Sequence, residues 1–248
     1  MKVVVAKPYK AHEIINLIDS FEDTGDTFYA KRNIIKIFKI GKEAWNVKAF
    51  KIPHLINKLA YRYLRKSKAQ RSFEYANYLI KNDILTPKPI GYVLKYVLFG
   101  LGESFYISEN LQYDLTFREL IHDKNYPDRE DILNQFTEFT FKLHEKGIHF
   151  LDHSPGNTLI VKKESKKYDF YLIDLNRMKF GVMDFETRIQ NFANLTLTDD
   201  MITIISKKYA KLMDEDYQIV HKEISRVAQF SAAKRLRKHK LKQKMGKK

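Results

Sequence analysis

The chain has 248 residues, 44% of them hydrophobic and 13% aromatic, which is enough for one large domain or two modest ones with a filled core. Without cysteine it can form neither disulfides nor cysteine-based zinc sites, in keeping with a reducing compartment. Its net charge of +15 is concentrated: seven of its 45 basic residues lie in 51–71 and nine in 231–248, and neither block contains an acid.

Localised charge of this kind points to an anionic partner, whether nucleic acid, a membrane surface or a phosphorylated substrate. For the last dozen residues a solvated, disordered tail is an equal reading. The N-terminal MKVVVAKPYKAHEI has a short apolar burst followed by charge and does not resemble a signal peptide. The longest apolar run, residues 92–107, is interrupted by Lys95 and Glu103 and is too short to span a bilayer. A cytoplasmic protein is expected.

Residues 1–32 are weakly patterned. From Asn33, NIIKIFKI and AWNVKAFK flank a Gly41-Lys42 turn and read as a hairpin. Lys48 lies in its second strand, where a lysine can project under a nucleotide and pair its phosphates; Lys51 is the alternative if the register differs by a pleat. No G-x-G-x-x-G precedes it, so the covering turn would be Ile40-Gly41-Lys42-Glu43. Pro53 opens a helix with Leu55, Ile56, Leu59 and Tyr63 at helical spacing. A second helix over 69–81 carries Glu74, which either meets Lys48 or pairs with Arg71 or Lys81 on a wet surface.

Two strands follow, over 90–99 and 103–108, with Gly100-Leu101-Gly102 as their turn. The backbone of Glu109-Asn110-Leu111 leaves the second strand at a domain boundary and is the candidate for the adenine edge, with Glu109 and Leu111 as its nucleotide-binding residues. The expected organisation is a nucleotide-binding region over 1–110, a small helical catalytic region over 111–230 and a basic tail over 231–248. Helices are expected over 116–122, from Asp128 as N-cap to Gly147, over 200–213 and over 216–230.

The chemistry concentrates in 151–177, LDHSPGNTLIVKKESKKYDFYLIDLNR. Asp152 and Asn157 stand as D-x-x-x-x-N in a loop, strands over 158–162 and 168–173 form a hairpin, and Asp174 leaves its end. Phosphoryl transfer needs such a set: a carboxylate near the attacking hydroxyl and hard oxygen ligands for Mg²⁺ on the nucleotide phosphates. His144 and His149 read as scaffold, and His153 as a surface turn residue or a substrate contact. Asn176 and Arg177 are placed to contact metal or phosphate, and Arg177 could equally brace the loop through a carboxylate.

Taken in order, Lys48, Glu74, LHEKGIHFLDHSPGN and IDLNR resemble the protein-kinase-like superfamily. The details are similar to the bacterial lipopolysaccharide core kinases, the group containing Kdo kinase and the heptose kinases, over roughly residues 30–195. The resemblance implies an α+β, two-lobed kinase fold with an antiparallel-sheet N-lobe and a small helical C-lobe. It implies ATP and Mg²⁺ as cofactors, with Lys48 holding the α/β-phosphates, Glu74 orienting Lys48, Asp152 taking the hydroxyl proton, and Asn157 and Asp174 binding metal. The implied acceptor is a sugar hydroxyl of a lipid A–core glycolipid. The expected location is the inner face of the inner membrane, reached through the basic segments. Nucleic acid is disfavoured as a partner and no obligate protein partner is implied.

Departures from protein kinases narrow the reading. Phe150-Leu151 stands where they carry His-Arg, Asp174-Leu175-Asn176 where they carry Asp-Phe-Gly, and no Ala-Pro-Glu follows. A peptide kinase gated by an activation loop is therefore disfavoured. The competing readings are a catalytically weak pseudokinase or binding module, and an RNA-associated atypical kinase.

Overall fold

The computed structural model describes every residue except 31–32, 55–57, 59, 62–63, 99, 245 and 247–248. The helical spacing of Leu55, Ile56, Leu59 and Tyr63 lies outside the described residues. The chain divides into two compact units, Met1–Gln112 with Asp174–Asn176, and Tyr113–Ile173 with Arg177–Lys248.

The first unit is built on a six-stranded antiparallel sheet: β1 (Lys2–Val5), β2 (Asp26–Ala30), β3 (Ile34–Ile40), β4 (Glu43–Phe50), β5 (Pro89–Val97) and β6 (Gly100–Glu109), in the order β1-β5-β6-β4-β3-β2. Helix α1 (Ala11–Asp19) covers one face, where Ile14, Leu17, Ile18 and Phe21 close over Trp45, Val47, Phe105 and Ile107. Helix α2 (Lys68–Lys81), capped by Ser67 Oγ accepting from the Gln70 N–H at 3.1 Å, belongs to a second cluster with Phe50, Tyr92 and Leu94. Alternation along β4 thus sends Val47 to the first cluster and Phe50 to the second, and Lys48 shares the Phe50 side of the strand.

Elements β1, α1 and β2 fill the region that carries little sequence pattern. Gly91 in β5 permits the close approach of β1, because a Cβ there would lie 2.6 Å from Val4 O. The Gly100-Leu101-Gly102 segment is not a turn: Gly100 already pairs with Val97 and the glycines lie inside β6. A Cβ at Gly102 would stand 3.0 Å from Lys95 O, at the irregularity between Leu94 and Tyr96.

Lys36 is 8% exposed and has no carboxylate partner among the described residues. Its ammonium donates to Phe21 O at 2.6 Å, Glu22 O at 2.9 Å and Thr24 O at 3.1 Å, closing the turn after α1 with a buried cation. Lys36→Met keeps the aliphatic stem and strands these carbonyls, so it should destabilise the chain by about 1–3 kcal/mol. A urea midpoint equal to wild type would contradict this role.

The second unit contains α3 (Phe117–His122), α4 (Arg129–Glu145), α5 (Phe185–Gln190), α6 (Asp199–Met213) and α7 (Tyr217–Lys244). It is less purely helical than expected: β7 (Leu115–Thr116), β9 (Thr158–Lys162) and β10 (Tyr168–Leu172) form a three-stranded sheet, and β8 (Ile148–Phe150) pairs with β11 (Met178–Phe180). Asp128 occupies the N-cap position of α4, but its backbone is left-handed at φ +55° and its carboxylate caps nothing. Instead it accepts from Tyr168 Oη at 3.0 Å and pairs with Lys166 at 2.9 Å. Phe136, Leu143, Ile205, Tyr209 and Ile224 are among the core of this unit.

The basic C-terminal block is not a separate tail. Helix α7 anchors itself through Val220, Ile224, Val227 and Ala228, then continues through residues 232–244, all of them exposed. At 1.5 Å per residue this exposed part is about 20 Å long. No helix among the described residues is long and apolar enough to cross a membrane.

Candidate active site

Lys48, in β4, and Asp174 and Asn176, in the turn after β10, all belong to the sheet unit. Lys48 Nζ donates to Asp174 Oδ1 at 2.5 Å, with the two side chains 13% and 32% exposed. The ammonium also lies 5.3 Å from the Phe50 ring centroid. Asn176 Nδ2 donates to the same oxygen of Asp174 at 2.7 Å. Asp174 Oδ2 has no hydrogen-bond partner among the described residues, so one face of the carboxylate is clamped and the other is open. Lys51 is exposed and its backbone N–H donates to Asn33 Oδ1 at 3.2 Å, which leaves Lys48 as the lysine facing a carboxylate.

Glu74 does not meet Lys48. It accepts from Lys66 at 2.8 Å and from Gln70 Nε2 at 2.9 Å, a partly exposed arrangement on α2 in which the partner is neither Arg71 nor Lys81. The attraction of Glu74 raises the pKa of Lys66 above its ordinary value. At the end of β6, Glu109 accepts from Tyr9 Oη at 2.9 Å and pairs with Lys88 at 3.2 Å. Burial, and then the Glu109 carboxylate, push the Tyr9 hydroxyl up. The Glu109 N–H is taken by Lys88 O and the Asn110 N–H by Ala44 O. Leu111, one residue further, makes no backbone hydrogen bond among the described residues and is the free edge at this strand end.

In the second unit, Gly147 at φ +63° ends α4 and turns the chain into β8. A side chain there would meet Gly181 O at 2.5 Å, so the close pairing of β8 with the stretch after β11 requires glycine. The loop after β8 is fixed through its backbone. Leu151 N–H donates to Arg177 O at 3.1 Å, and Asp152 O accepts from Ser154 N–H at 2.7 Å and from Asn157 Nδ2 at 2.8 Å. Ile173 N–H donates to Asn157 O at 3.0 Å, tying the end of β10 to the same loop.

Two functional consequences follow from these bonds. Because Asn157 uses its amide nitrogen on Asp152 O, its Oδ1 is turned away and has no partner among the described residues. The Asp152 carboxylate likewise makes no hydrogen bond there, and Arg177 Nη1 stands 3.9 Å from its Oδ2. That is a long-range brace from an exposed guanidinium, not a fork-to-fork pair.

His153 is neither a surface turn residue nor exposed to a substrate. It is 1% exposed, its ring centroid 5.5 Å from those of Phe136 and Phe150, and its Nδ1 lies 3.3 Å from Asn191 Oδ1. His144 is equally buried between Tyr209 Oη at 2.5 Å and Asn191 Oδ1 at 3.1 Å. Burial pulls His144 down to about 3 and His153 to about 4. His149, half-buried, is also lowered, by burial and then by the charge of Lys179. Asn191 carries no sequence motif; the signal that marks it is its position in the fold.

The two buried imidazoles set an acid limit. The unfolded chain binds protons below about pH 6.5 while the folded rings refuse them down to about 4 and 3. Their stabilisation is therefore complete above pH 6.5 and declines as pH falls below it, by up to about 1.4 kcal/mol per pH unit for each ring. Urea midpoints at pH 7 and pH 5 measure this, and His153→Phe should flatten the slope. An unchanged slope would contradict it.

No group of three or more His, Asp or Glu side chains suited to a metal occurs among the described residues. The open oxygens of Asp174 and Asn157 nonetheless suit Mg²⁺ individually, since that ion is commonly held by one or two protein oxygens with phosphates and water completing the shell.

No family model matches the chain, and no curated protein matches it. Among solved structures, that of WaaP in complex with acyl carrier protein is similar over 94% of this chain and 98% of that one, with a TM-score of 0.65 and 13% sequence identity. The chain therefore shares the α+β fold of that protein.

Proposed function

We propose that the chain is an ATP- and Mg²⁺-dependent kinase that transfers the γ-phosphoryl group to a sugar hydroxyl of a lipid A–core acceptor. The observation that carries the reading is the Lys48–Asp174 pair: a partly buried lysine held at 2.5 Å by a carboxylate whose second oxygen is open. Lys48 would bind the α/β-phosphates, and Leu111 would offer backbone to the adenine. Asp174 and Asn157 would supply oxygen to Mg²⁺, which when bound neutralises charge on the phosphates. Asp152 would accept the proton of the attacking hydroxyl, its backbone held rigid and its carboxylate uncommitted.

One observation favours the alternative, a kinase-fold binding module without turnover: Glu74 is engaged by Lys66 and Gln70 and not by Lys48. Incubation with γ-labelled ATP, Mg²⁺ and a panel of lipid A–core acceptors separates the two. Label in a glycolipid supports the kinase; nucleotide binding without transfer to any acceptor supports the module.

The exposed half of α7 supports a peripheral membrane location. Residues 232–244 hold seven Lys/Arg and no acid, including the like-charged i,i+4 pairs Lys234–Lys238, Lys238–Lys242 and Lys240–Lys244. Such pairs weaken a helix unless an anionic surface neutralises them, and each Lys or Arg near an anionic bilayer contributes about 1 kcal/mol. Deleting 233–248 should reduce binding to anionic vesicles by at least tenfold and leave ATP binding intact. Equal vesicle binding would remove the membrane role. WaaP was solved with acyl carrier protein, so that protein is a further partner to offer to the same basic surface.

A further inference from the structure

Asp152 stands between two residues held by one side chain. Asn191, at the C-cap of α5 and 4% exposed, donates from Nδ2 to Phe150 O at 2.7 Å. That bond fixes which way the amide points, because reversing it would set oxygen against oxygen. Oδ1 must therefore face the two imidazoles, and an amide oxygen has two lone pairs with which to accept. Both nearby ring nitrogens are then N–H donors: His144 through Nε2 at 3.1 Å and His153 through Nδ1 at 3.3 Å.

The opposite edge of His144 follows: in a neutral ring whose proton is on Nε2, Nδ1 is bare and accepts from the Tyr209 hydroxyl at 2.5 Å. His153 Nε2 is left bare as well, fully buried and without a hydrogen-bond partner among the described residues. Each ring is thus neutral and confined to one tautomer. The charged and titratable groups around them are Arg188, Glu145, Tyr209 and His149, and Arg188 is itself paired with Glu145 at 2.6 Å.

Resting on the kinase reading above, we propose that Asn191 is the positioning residue for Asp152: through one amide it holds the Phe150 carbonyl two residues before it and the His153 imidazole directly after it, and so fixes the carboxylate toward the acceptor hydroxyl. Two further backbone bonds, from Leu151 to Arg177 and from Ser154 to Asp152, and the Asn157 side-chain amide on Asp152 O hold its other side. Fixing a reacting group in this way matters because small misplacements are expensive in rate.

Asn191→Asp tests it. The substitution keeps the size and the acceptance from both imidazoles but removes the donor to Phe150 O and adds a buried carboxylate. In the full chain, with γ-labelled ATP and the acceptor that wild type phosphorylates, kcat should fall by about 10–100-fold with KM for ATP unchanged. An imidazole should also begin to titrate near neutral pH. Nitrogen NMR of the wild-type histidines reads the clamp independently of folding in the variant: His144 should appear as the Nε2–H tautomer and His153 as the Nδ1–H tautomer, both unchanged from pH 8 to pH 5. The opposite tautomers, a cationic ring at pH 7, or an Asn191→Asp enzyme with wild-type kcat and pH profile would overturn the proposal. A wild-type chain that transfers no phosphoryl group overturns the kinase reading itself, and the clamp is then judged by the imidazole spectrum alone.

Discussion

Asp152→Asn should lower phosphoryl transfer by about 10²–10⁴-fold, the range a positioned acid or base supplies, while ATP binding and the unfolding midpoint stay at wild-type values. The stability half of this expectation is as specific as the kinetic half. Asp152 is anchored by its backbone carbonyl, which accepts from Ser154 and Asn157, and its carboxylate makes no hydrogen bond among the described residues. Arg177 at 3.9 Å is too distant and too exposed for its loss to register in stability. An amide therefore fits where the carboxylate was, and what disappears is the proposed proton acceptor. Initial rates with labelled ATP and a urea titration on the same preparation measure both. Transfer that survives in the variant would remove Asp152 as the base.

Asp174→Asn should reduce transfer by about 10²–10³-fold, comparable to losing one preorganised electrostatic contact to the transition state, but with a different accompanying signature. Asp174 is at φ +57°, and asparagine is among the residues that tolerate the left-handed region, so the backbone is not strained. The change instead deprives Lys48 of its anion. Because the Asp174 side chain is 32% exposed and Lys48 retains the Phe50 ring, the stability cost should be modest, about 1 kcal/mol. The Mg²⁺ concentration for half-maximal rate should also rise, which it should not do for Asp152→Asn. A variant with wild-type Mg²⁺ dependence would argue against Asp174 as a metal ligand.

Local pattern carried the second unit well. The 158–162 strand, the turn over Ser165 and Lys166, and the strand after Tyr168 are set by short-range alternation and adopt the expected hairpin. In the N-terminal region the information was present but brief. Ile14, Leu17, Ile18 and Phe21 follow i, i+3, i+4, i+7 spacing, yet α1 has nine residues, and β2 is exposed along its whole length and shows no buried alternation. Gly100 and Gly102 illustrate an ambiguity that spacing cannot resolve: a glycine that frees a turn and one that admits a neighbouring strand look alike until the partner strand is in place.

The side-chain partners were the least legible part, because they are set by tertiary packing. Glu74 finds Lys66, eight positions back and outside α2, in preference to a lysine on the sheet. His153 sits in a run of turn-forming residues, Asp-His-Ser-Pro-Gly-Asn, yet is buried by Phe136 and Phe150 and held by Asn191, 38 positions away. The basic C-terminal block could be read from composition, whereas its continuation of α7 depends on Val220, Ile224 and Val227 anchoring the first half of the helix.

The central claim is a phosphoryl transfer from ATP to a glycolipid sugar, and the mass of the acceptor tests it most directly. Lipid A–core stripped of its core phosphates, incubated with the full chain, ATP and Mg²⁺, should gain the mass of one phosphoryl group on a core sugar, with no gain when Asp152→Asn replaces wild type. Recovery of the acceptor at its original mass across the panel, from a protein shown to bind ATP, would contradict it.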